Sequence, residues 1–166
     1  MSEATRSSTQ IDLRTLPEGL SRLELEATGE GVGLEPADLV LQGPVRVRLD
    51  LDRRGEEIWI RGHLQGHSPQ QCSRCLADFV MTLELDFEVF CAKVQGSSAM
   101  GPRALDEEDG GVHFHDGRVL SIDAEIREAL LLSLPMRPLC RESCAGLCPR
   151  CGEDRNLGPC RCERGA

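Results

Sequence analysis

The last 27 residues of this chain contain six cysteines, spaced in short pairs. A short spacing lets two thiolates from one turn reach a single ion, and two such turns complete a tetrahedral zinc shell. The strongest segment is Cys148-Pro149-Arg150-Cys151-Gly152, because glycine permits the positive φ that turns backbone N–H groups toward the second sulfur. The tail is therefore predicted to be a metal-binding module.

A further pair, Cys72 and Cys75, lies in the middle of the chain. Together with the tail it gives eight paired thiols, enough for two zinc shells of four thiolates each, with Cys91 left over. One predicted site has the ligands Cys148, Cys151, Cys160 and Cys162. The other predicted site has the ligands Cys72, Cys75, Cys140 and Cys144. We therefore expect one or two zinc ions per chain.

Disulfide bonding is the main alternative use of cysteines, and it belongs to secreted or periplasmic proteins. Residues 1–6 are polar and lack the apolar run of a signal peptide, so we expect a cytoplasmic protein with reduced thiols. No apolar stretch approaches the about 18 residues of a membrane span. A redox dithiol is disfavoured, because such a motif opens a helix, whereas Cys72 is predicted to follow a turn at residues 66–69 and to lead into a strand.

Charge and aromatic content limit the kind of partner. The formal net charge is −9, so the chain is not expected to be a general phosphate binder. With four Phe, one Trp and no Tyr, it lacks the residues of a base-stacking surface. The tail is different, since residues 136–166 carry six arginines against four acidic residues. Although a GC-rich genome would also explain abundant arginine, the candidate contacts to RNA or a partner are Arg141, Arg150, Arg155 and Arg161.

Alternating apolar and polar residues predict an antiparallel sheet. Residues 45–65 are predicted to form a β-hairpin with its turn at residues 52–55. Residues 81–89 alternate even more regularly, and residues 23–26 are predicted to form an earlier strand. One face of this sheet is apolar. Trp59 and His63 fall on the polar face, where a partly covered sheet surface is a simpler explanation than catalysis.

A helix is predicted after an acidic loop at residues 96–111. Asp116-Gly117 is a candidate hairpin turn. Just before it, His113 and His115 are possible metal ligands, although the eight thiols already suffice. Ser121 is predicted to be the N-cap of the helix, with Asp123 and Glu125 in the positive first turn. The apolar face expected to cover the sheet consists of Ile122, Ile126, Ala129, Leu130 and Leu134.

Pro135 and Pro138 are expected to end this helix. The fold class is therefore α+β: an antiparallel sheet covered by a C-terminal helix and followed by a Cys-rich tail. We expect a body at residues 1–135 and a zinc-binding tail at residues 136–166 that packs on the body.

The order of these elements closely resembles the bacterial YceD family, also described as large ribosomal RNA subunit accumulation proteins. The resemblance covers roughly residues 10–162 and is sharpest in Cys144-Ala145-Gly146-Leu147-Cys148-Pro149-Arg150-Cys151-Gly152, with Asn156 and Cys160-x-Cys162. It implies a role in the synthesis, processing or stability of 23S ribosomal RNA. No catalytic residues accompany the resemblance.

Two classes of function follow from these expectations. The first is a non-enzymatic ribosome-biogenesis factor, a zinc-stabilised adaptor that contacts rRNA or a ribosomal protein of the large-subunit precursor. The second is a general zinc-binding interaction module in transcription or redox sensing. An enzyme is disfavoured, because all-Cys zinc shells are usually closed and structural. We expect no membrane partner and no small-molecule substrate.

Overall fold

A computed structural model describes residues 9–93 and 112–164 of the protein. The strands are β1 Gln10–Asp12, β2 Gly19–Ala27, β3 Val45–Arg54, β4 Glu57–Gln71, β5 Asp78–Lys93, β6 Val112–His115 and β7 Val119–Ser121. The helices are α1 Asp123–Leu132, a 3-10 turn at Arg155–Leu157 and α2 Arg161–Arg164. The predicted loop at residues 96–111 lies outside the described residues.

A five-stranded sheet in the order β2-β3-β4-β5-β6 forms the centre of the molecule. The pairs from β2 to β5 are antiparallel, as predicted, whereas β6 pairs with β5 in parallel. A separate two-stranded sheet joins β1 to β7. No helix in the described part of the chain is both long and apolar enough to cross a membrane.

The hairpin of β3 and β4 buries one face and exposes the other. Val45, Val47, Leu49 and Leu51 are buried, and the polar residues between them point away from the core. The turn lies at residues 55–56 rather than 52–55, because β3 continues to Arg54. Gly55 has a φ of 64°, which suits the first position of a two-residue hairpin turn.

Strand β4 continues through residues 66–69, so the predicted turn there is wrong. Gly66 and Ser68 are buried positions of this strand. A Cβ on Gly66 would lie 3.1 Å from the side chain of Val45, and the Ser68 hydroxyl donates to the Val40 carbonyl at 2.8 Å. Pro69 is tolerated because it lies beyond the last residue of β4 that pairs with β3.

Helix α1 begins after Ile122, not at Ser121 as predicted. Ser121 belongs to β7, and its hydroxyl donates to Asp123 at 2.5 Å. Asp123 and Glu125 do lie in the first turn. Ile126 and Leu130 join the same core cluster as the inward residues of the strands. That the helix covers the apolar face of the sheet stays a prediction.

The segment Asp116-Gly117 is a turn but not a hairpin turn. It connects β6 of the large sheet to β7 of the small one, and these two strands do not pair. The Asp116 carboxylate accepts the N–H groups of Arg118 and Val119 at 2.7 and 3.1 Å. The Asp116 side chain thus provides hydrogen bonds to the turn, in place of the backbone hydrogen bonds between strands that a hairpin would provide.

Candidate metal centres

The end of the β4–β5 hairpin forms the first half of one thiol cluster. Gln71 pairs with Asp78, so residues 72–77 make the connecting loop. Within it the Cys72 N–H donates to the Ala77 carbonyl, and the Leu76 N–H donates to the Cys72 carbonyl, both at 2.9 Å. Leu76 adopts a φ of 59°, an unusual value for a residue with a side chain. This tight turn places Cys72 and Cys75 close together.

The tail supplies the second half of this cluster and is bonded to the hairpin loop through its backbone. The Ser73 N–H donates to the Pro138 carbonyl at 2.9 Å, and the Leu147 N–H donates to the Arg74 carbonyl at 3.0 Å. These bonds hold Cys140 and Cys144 against the loop. We define the hairpin cluster as Cys72, Cys75, Cys140 and Cys144.

The sulfur positions of the hairpin cluster fit a tetrahedral metal. The Sγ atoms of Cys72 and Cys144 are 3.8 Å apart, and those of Cys75 and Cys140 are 3.7 Å apart. A zinc ion with Zn–S bonds of about 2.3 Å separates its sulfur ligands by about 3.8 Å. A disulfide would need about 2.05 Å. The donor set and its spacing therefore fit zinc and do not fit two disulfides.

The second cluster lies wholly within the tail. The Cys148 N–H donates to the Glu153 carbonyl at 2.8 Å, and the Gly152 N–H returns to the Cys148 carbonyl at 2.9 Å. Gly152 has a φ of 73°, as its motif requires. The Sγ atoms of Cys148 and Cys160 are 3.5 Å apart. We define the tail cluster as Cys148, Cys151, Cys160 and Cys162.

The two clusters are the same two sets of four residues that the spacing predicts. In each, all four Sγ atoms lie within 4.8 Å of one another, so each set can hold a metal ion. The clusters differ in exposure: Cys72, Cys75 and Cys144 are buried, whereas Cys151 is exposed. The tail cluster is therefore the more accessible of the two.

Backbone N–H groups favour ionisation of thiols in both clusters. The N–H groups of Cys140 and Cys75 lower the pKa of Cys72 to about 6. The N–H groups of Cys151 and Arg150 lower the pKa of Cys148 to about 6 in the same way.

Other thiols in the clusters resist ionisation. The pKa of Cys140 is raised to about 12, mainly by burial and secondly by hydrogen bonds with the neighbouring thiols. The pKa of Cys162 is raised to about 12, mainly by a hydrogen bond with Cys151 and secondly by burial. A cation that neutralises the crowded sulfurs would lower these values, because opposite charge favours the thiolate form.

Residues 60–165 match the family model described as large ribosomal RNA subunit accumulation protein YceD. The chain belongs to the YceD family. The match includes both thiol clusters and, from the large sheet, β5, β6 and β4 from residue 60 onward.

Curated relatives of this YceD-family chain occur in mycobacteria. An uncharacterized protein of Mycobacterium leprae is 26% identical over 77% of this chain and 57% of its own length. An uncharacterized protein of Mycobacterium tuberculosis is 30% identical over 63% of this chain and 50% of its own length. The chain thus spans about half the length of the curated relatives it matches. No solved structure matches it.

Two residues that support the hairpin cluster were not predicted from the sequence to do so. Asn156, part of the YceD motif, directs its amide N–H toward Cys144 Sγ at 3.5 Å, and its Oδ1 accepts the Ala145 N–H at 2.8 Å. Arg74 donates from Nη1 to the Cys144 carbonyl at 3.0 Å. Burial opposes ionisation of Cys144, but Asn156 and a backbone N–H outweigh it and lower its pKa. The Cys-x-Arg-Cys spacing, shared with Cys148-Pro149-Arg150-Cys151, is the signal that could have marked Arg74.

The histidines considered as extra ligands lie elsewhere. Among the described residues, neither belongs to a thiol cluster. His113 bonds through Nδ1 to the Glu125 carboxylate, which raises its pKa despite burial. His115 directs Nε2 to the Glu56 carbonyl at 3.1 Å, and its burial lowers its pKa. Cys91 is buried in the core, where desolvation raises its pKa to about 12.

All four candidate contact arginines are exposed. Arg141 donates to the Asn156 side chain at 2.8 Å, and Arg161 pairs with Glu153 at 2.6 Å. The Arg155 N–H donates to the Gly146 carbonyl at 2.9 Å, which fixes the backbone of its short helix. Arg150 lies at the tip of the tail-cluster turn, between Cys148 and Cys151.

Proposed function

We propose that this chain is a non-enzymatic ribosome-biogenesis factor that supports the synthesis, processing or stability of 23S rRNA in the cytoplasm. It acts as an adaptor stabilised by two zinc ions. The observation that carries this proposal is the hairpin cluster, which joins thiols of the β4–β5 loop to thiols of the tail. The name of the YceD family, which refers to accumulation of the large ribosomal RNA subunit, supports a role in ribosome biogenesis.

Zinc is the ion that this donor set suits best, because four thiolates at tetrahedral spacing are a typical structural zinc shell. The hairpin cluster would hold one ion and the tail cluster the other. A bound ion would supply a rigid crosslink and no open coordination position. The closed coordination shell is the main support for a role in holding the tail in position for a partner rather than in catalysis.

The clusters would give the tail a fixed orientation on the sheet. Few apolar side chains surround the hairpin cluster: among the described residues, Phe79, Leu139 and Leu147 pack beside its cysteines. Metal binding therefore has to provide much of the energy that orders the tail. In this proposal α1 covers the apolar face of the sheet, and the arginines near the clusters face the assembling subunit.

A protein partner would supply most of the specificity. The net charge of −9 repels nucleic acid, so the tail arginines can support only weak, strongly salt-dependent contact with RNA. Contact with a ribosomal protein on the large-subunit precursor would not meet this repulsion. We therefore expect association with the precursor particle rather than with free rRNA.

Deletion of the gene tests the biological role. We expect the ratio of 23S to 16S rRNA to fall while transcription continues, and we expect the protein to sediment with large-subunit precursors. Normal ratios together with no such association would refute the biogenesis role. The general zinc module in transcription or redox sensing would then take its place.

Charge reversal tests the role of the tail. The double variant Arg150→Glu/Arg155→Glu should weaken sedimentation with precursors and leave two zinc ions per chain by elemental analysis. The matched control is Arg46→Glu/Arg118→Glu, which changes the net charge equally at exposed positions of the body. If both variants weaken association equally, the effect is one of overall charge, and the tail is only a structural clasp.

A further inference from the structure

Strand β5 has one edge that is open over most of its length. β4 pairs with residues 78–92 of β5 on one side. Within the described residues, β6 pairs on the other side only from Phe90 to Lys93. Residues 78–89 therefore present backbone N–H and C=O groups away from β4 with no strand beside them in the described part of the chain. Such an edge is a template for a strand from another protein.

A groove runs between this edge and helix α1. Its volume is about 430 Å³, and its apolar lining comes from Leu85 and Phe87 of the strand and Ala129 and Leu132 of the helix. Leu132 is 77% exposed, a large value for a leucine beside a core. Side chains alternate along a strand, so an added strand would direct every second side chain into this groove.

The other face of the same edge is acidic. Glu84, Asp86 and Glu88 occupy successive outward positions of β5 and are exposed. Their cross-strand neighbours on the β4 side are Gln65, His63 and Arg61. An added strand would lie on their open side, where basic side chains would meet all three carboxylates.

Helix α1 adds negative charge to the groove. Glu128 is exposed at its rim. Glu125 also lines it, and the Oε2 atom of Glu125 is buried without a hydrogen-bond partner among the described residues. Among the residues that the structure describes, the groove lining contains four acidic residues and no lysine or arginine. Both faces of an added strand would therefore find carboxylates within reach.

We propose that an extended segment of a partner protein, in which apolar residues alternate with Lys or Arg, adds to the open edge of β5 beside residues 84–89. The apolar side chains fill the groove against α1, and the basic side chains pair with the outward carboxylates. The inference deepens the proposed function and rests on it only for where the partner is met, on the large-subunit precursor.

Charge excludes the competing occupants of this edge. A second copy that paired β5 with β5 would place the acidic row against itself, and like charges directly opposite destabilise a sheet. RNA would bring phosphates to the same carboxylates. The other sheet edge, β2, is less selective, because its outward charged residues are of both signs, Arg22 as well as Glu24 and Glu26.

Peptide binding to the full-length protein tests the proposal. The probe is a fluorescent peptide of roughly eight residues that alternates Val and Lys, a length typical of a strand. We expect saturable binding that weakens as salt is raised. Hydrogen exchange should show new protection at alternate amides of β5 within residues 78–89 and no change in β2. A peptide with the same side chains and N-methylated alternate amides should not bind, because it cannot complete the ladder.

Matched variants locate the charge. Glu84→Gln/Glu88→Gln removes two outward carboxylates of β5, of which Glu88 pairs with Arg61 and Glu84 lies 3.6 Å from His63 Nε2. Glu24→Gln/Glu26→Gln removes two from β2, one of them paired with Arg48. We expect the first variant to weaken peptide binding about fivefold and the second to leave it unchanged. Thermal unfolding of both variants checks that the fold is retained.

Several results would overturn this proposal. They are equal binding of the N-methylated peptide, equal weakening by the two variants, and protection of the β5 edge amides before any peptide is added. Protection of the same amides by an RNA oligonucleotide, or a dimer in solution that Glu84→Gln/Glu88→Gln changes, would assign the edge to another occupant. Failed peptide binding with an altered 23S to 16S ratio in the deletion strain would sink the strand addition and leave the proposed function standing.

Discussion

Replacing Gly146 by alanine tests how the tail is seated on the β4–β5 loop. Gly146 has a φ of 71°, and a Cβ there would lie 3.0 Å from the Arg74 carbonyl oxygen. Gly152 has a nearly equal φ of 73°, but a Cβ there would meet nothing within 4 Å. The two substitutions thus share the backbone strain and differ in the contact, so Gly152→Ala is the matched control.

The size of each effect follows from these two terms. A residue with a side chain in the left-handed region loses roughly 1–2 kcal/mol. Reduced freedom of the unfolded chain offsets about 0.4–1 kcal/mol of this. Gly152→Ala should therefore lower stability by about 1 kcal/mol. Crowding against the Arg74 carbonyl oxygen, a backbone atom that cannot rotate away, adds about 1–3 kcal/mol. We expect Gly146→Ala to lower the free energy of unfolding of the tail by about 2–4 kcal/mol.

Hydrogen exchange of the zinc-loaded protein measures this directly. The Leu147 N–H donates to the Arg74 carbonyl at 3.0 Å, so its amide reports whether the tail is seated. Gly146→Ala should speed its exchange and the release of zinc to a colorimetric chelator far more than Gly152→Ala does. Equal effects of the two substitutions would refute the reasoning, because the contact with Arg74 would then contribute nothing.

Three further predictions concern metal and pH. Cys72→Ser/Cys75→Ser should reduce zinc from two ions to one per chain and expose the tail to protease; unchanged protease resistance would show that no bridge holds the tail. Removing zinc with a chelator should unfold residues 140–162 while hydrogen-exchange protection in β3 and β4 persists, and loss of protection in all strands together would contradict this. The pKa of His113 is raised, so its contribution to stability is fully present below its ordinary pKa of 6.5 and is lost as pH rises through its folded pKa. The pKa of His115 is lowered, so its contribution is fully present above 6.5 and is lost as pH falls. Urea unfolding across pH should therefore show a maximum near 6.5 from this pair, with His113→Gln flattening the alkaline side and His115→Gln the acid side, and slopes unchanged by both substitutions would exclude the two imidazoles.

The strands were predictable because their signal is local. Each apolar residue of β3 alternates with a charged one, and burial of one face requires no knowledge of the neighbouring strand. The pairing within each short cysteine loop was predictable for a similar reason. The link from Cys72 and Cys75 to Cys140 and Cys144 instead followed from counting ligands, since the other four tail thiols already fill one shell. The identity of the ion and its occupancy in both clusters remain predictions.

The errors arose where distant residues decide the local structure. Gly66 and Ser68 have the composition of a turn, but the Val45 side chain and the Val40 carbonyl require them in a buried strand. Ser121 has the chemistry of an N-cap, yet its pairing with Gln10 assigns it to β7. The parallel addition of β6 to β5 depends on chain geometry that no periodicity encodes.

Arg74 and Asn156 were not predicted as supports of the hairpin cluster for the same reason. Arg74 joins the hairpin loop to the tail, and Asn156 joins two segments within the tail. Arg74 reaches the carbonyl of a residue 70 positions away, and Asn156 lies 12 positions beyond the sulfur that it contacts. Only the folded arrangement brings these groups together.

The hairpin cluster also links metal binding to the state of the chain. Cys75 and Cys140 are 65 residues apart, and the segment between them contains β5, β6, β7 and α1. An ion that joined these thiols in the unfolded chain would have to close a loop of this length, at an entropic cost of about 4 kcal/mol by the relation used for disulfides. Once the strands and the helix of that segment are in place, the four thiols meet without this cost. We therefore expect metal capture at the hairpin cluster to be a late step of folding, and the rate of zinc uptake by refolding protein would report that step.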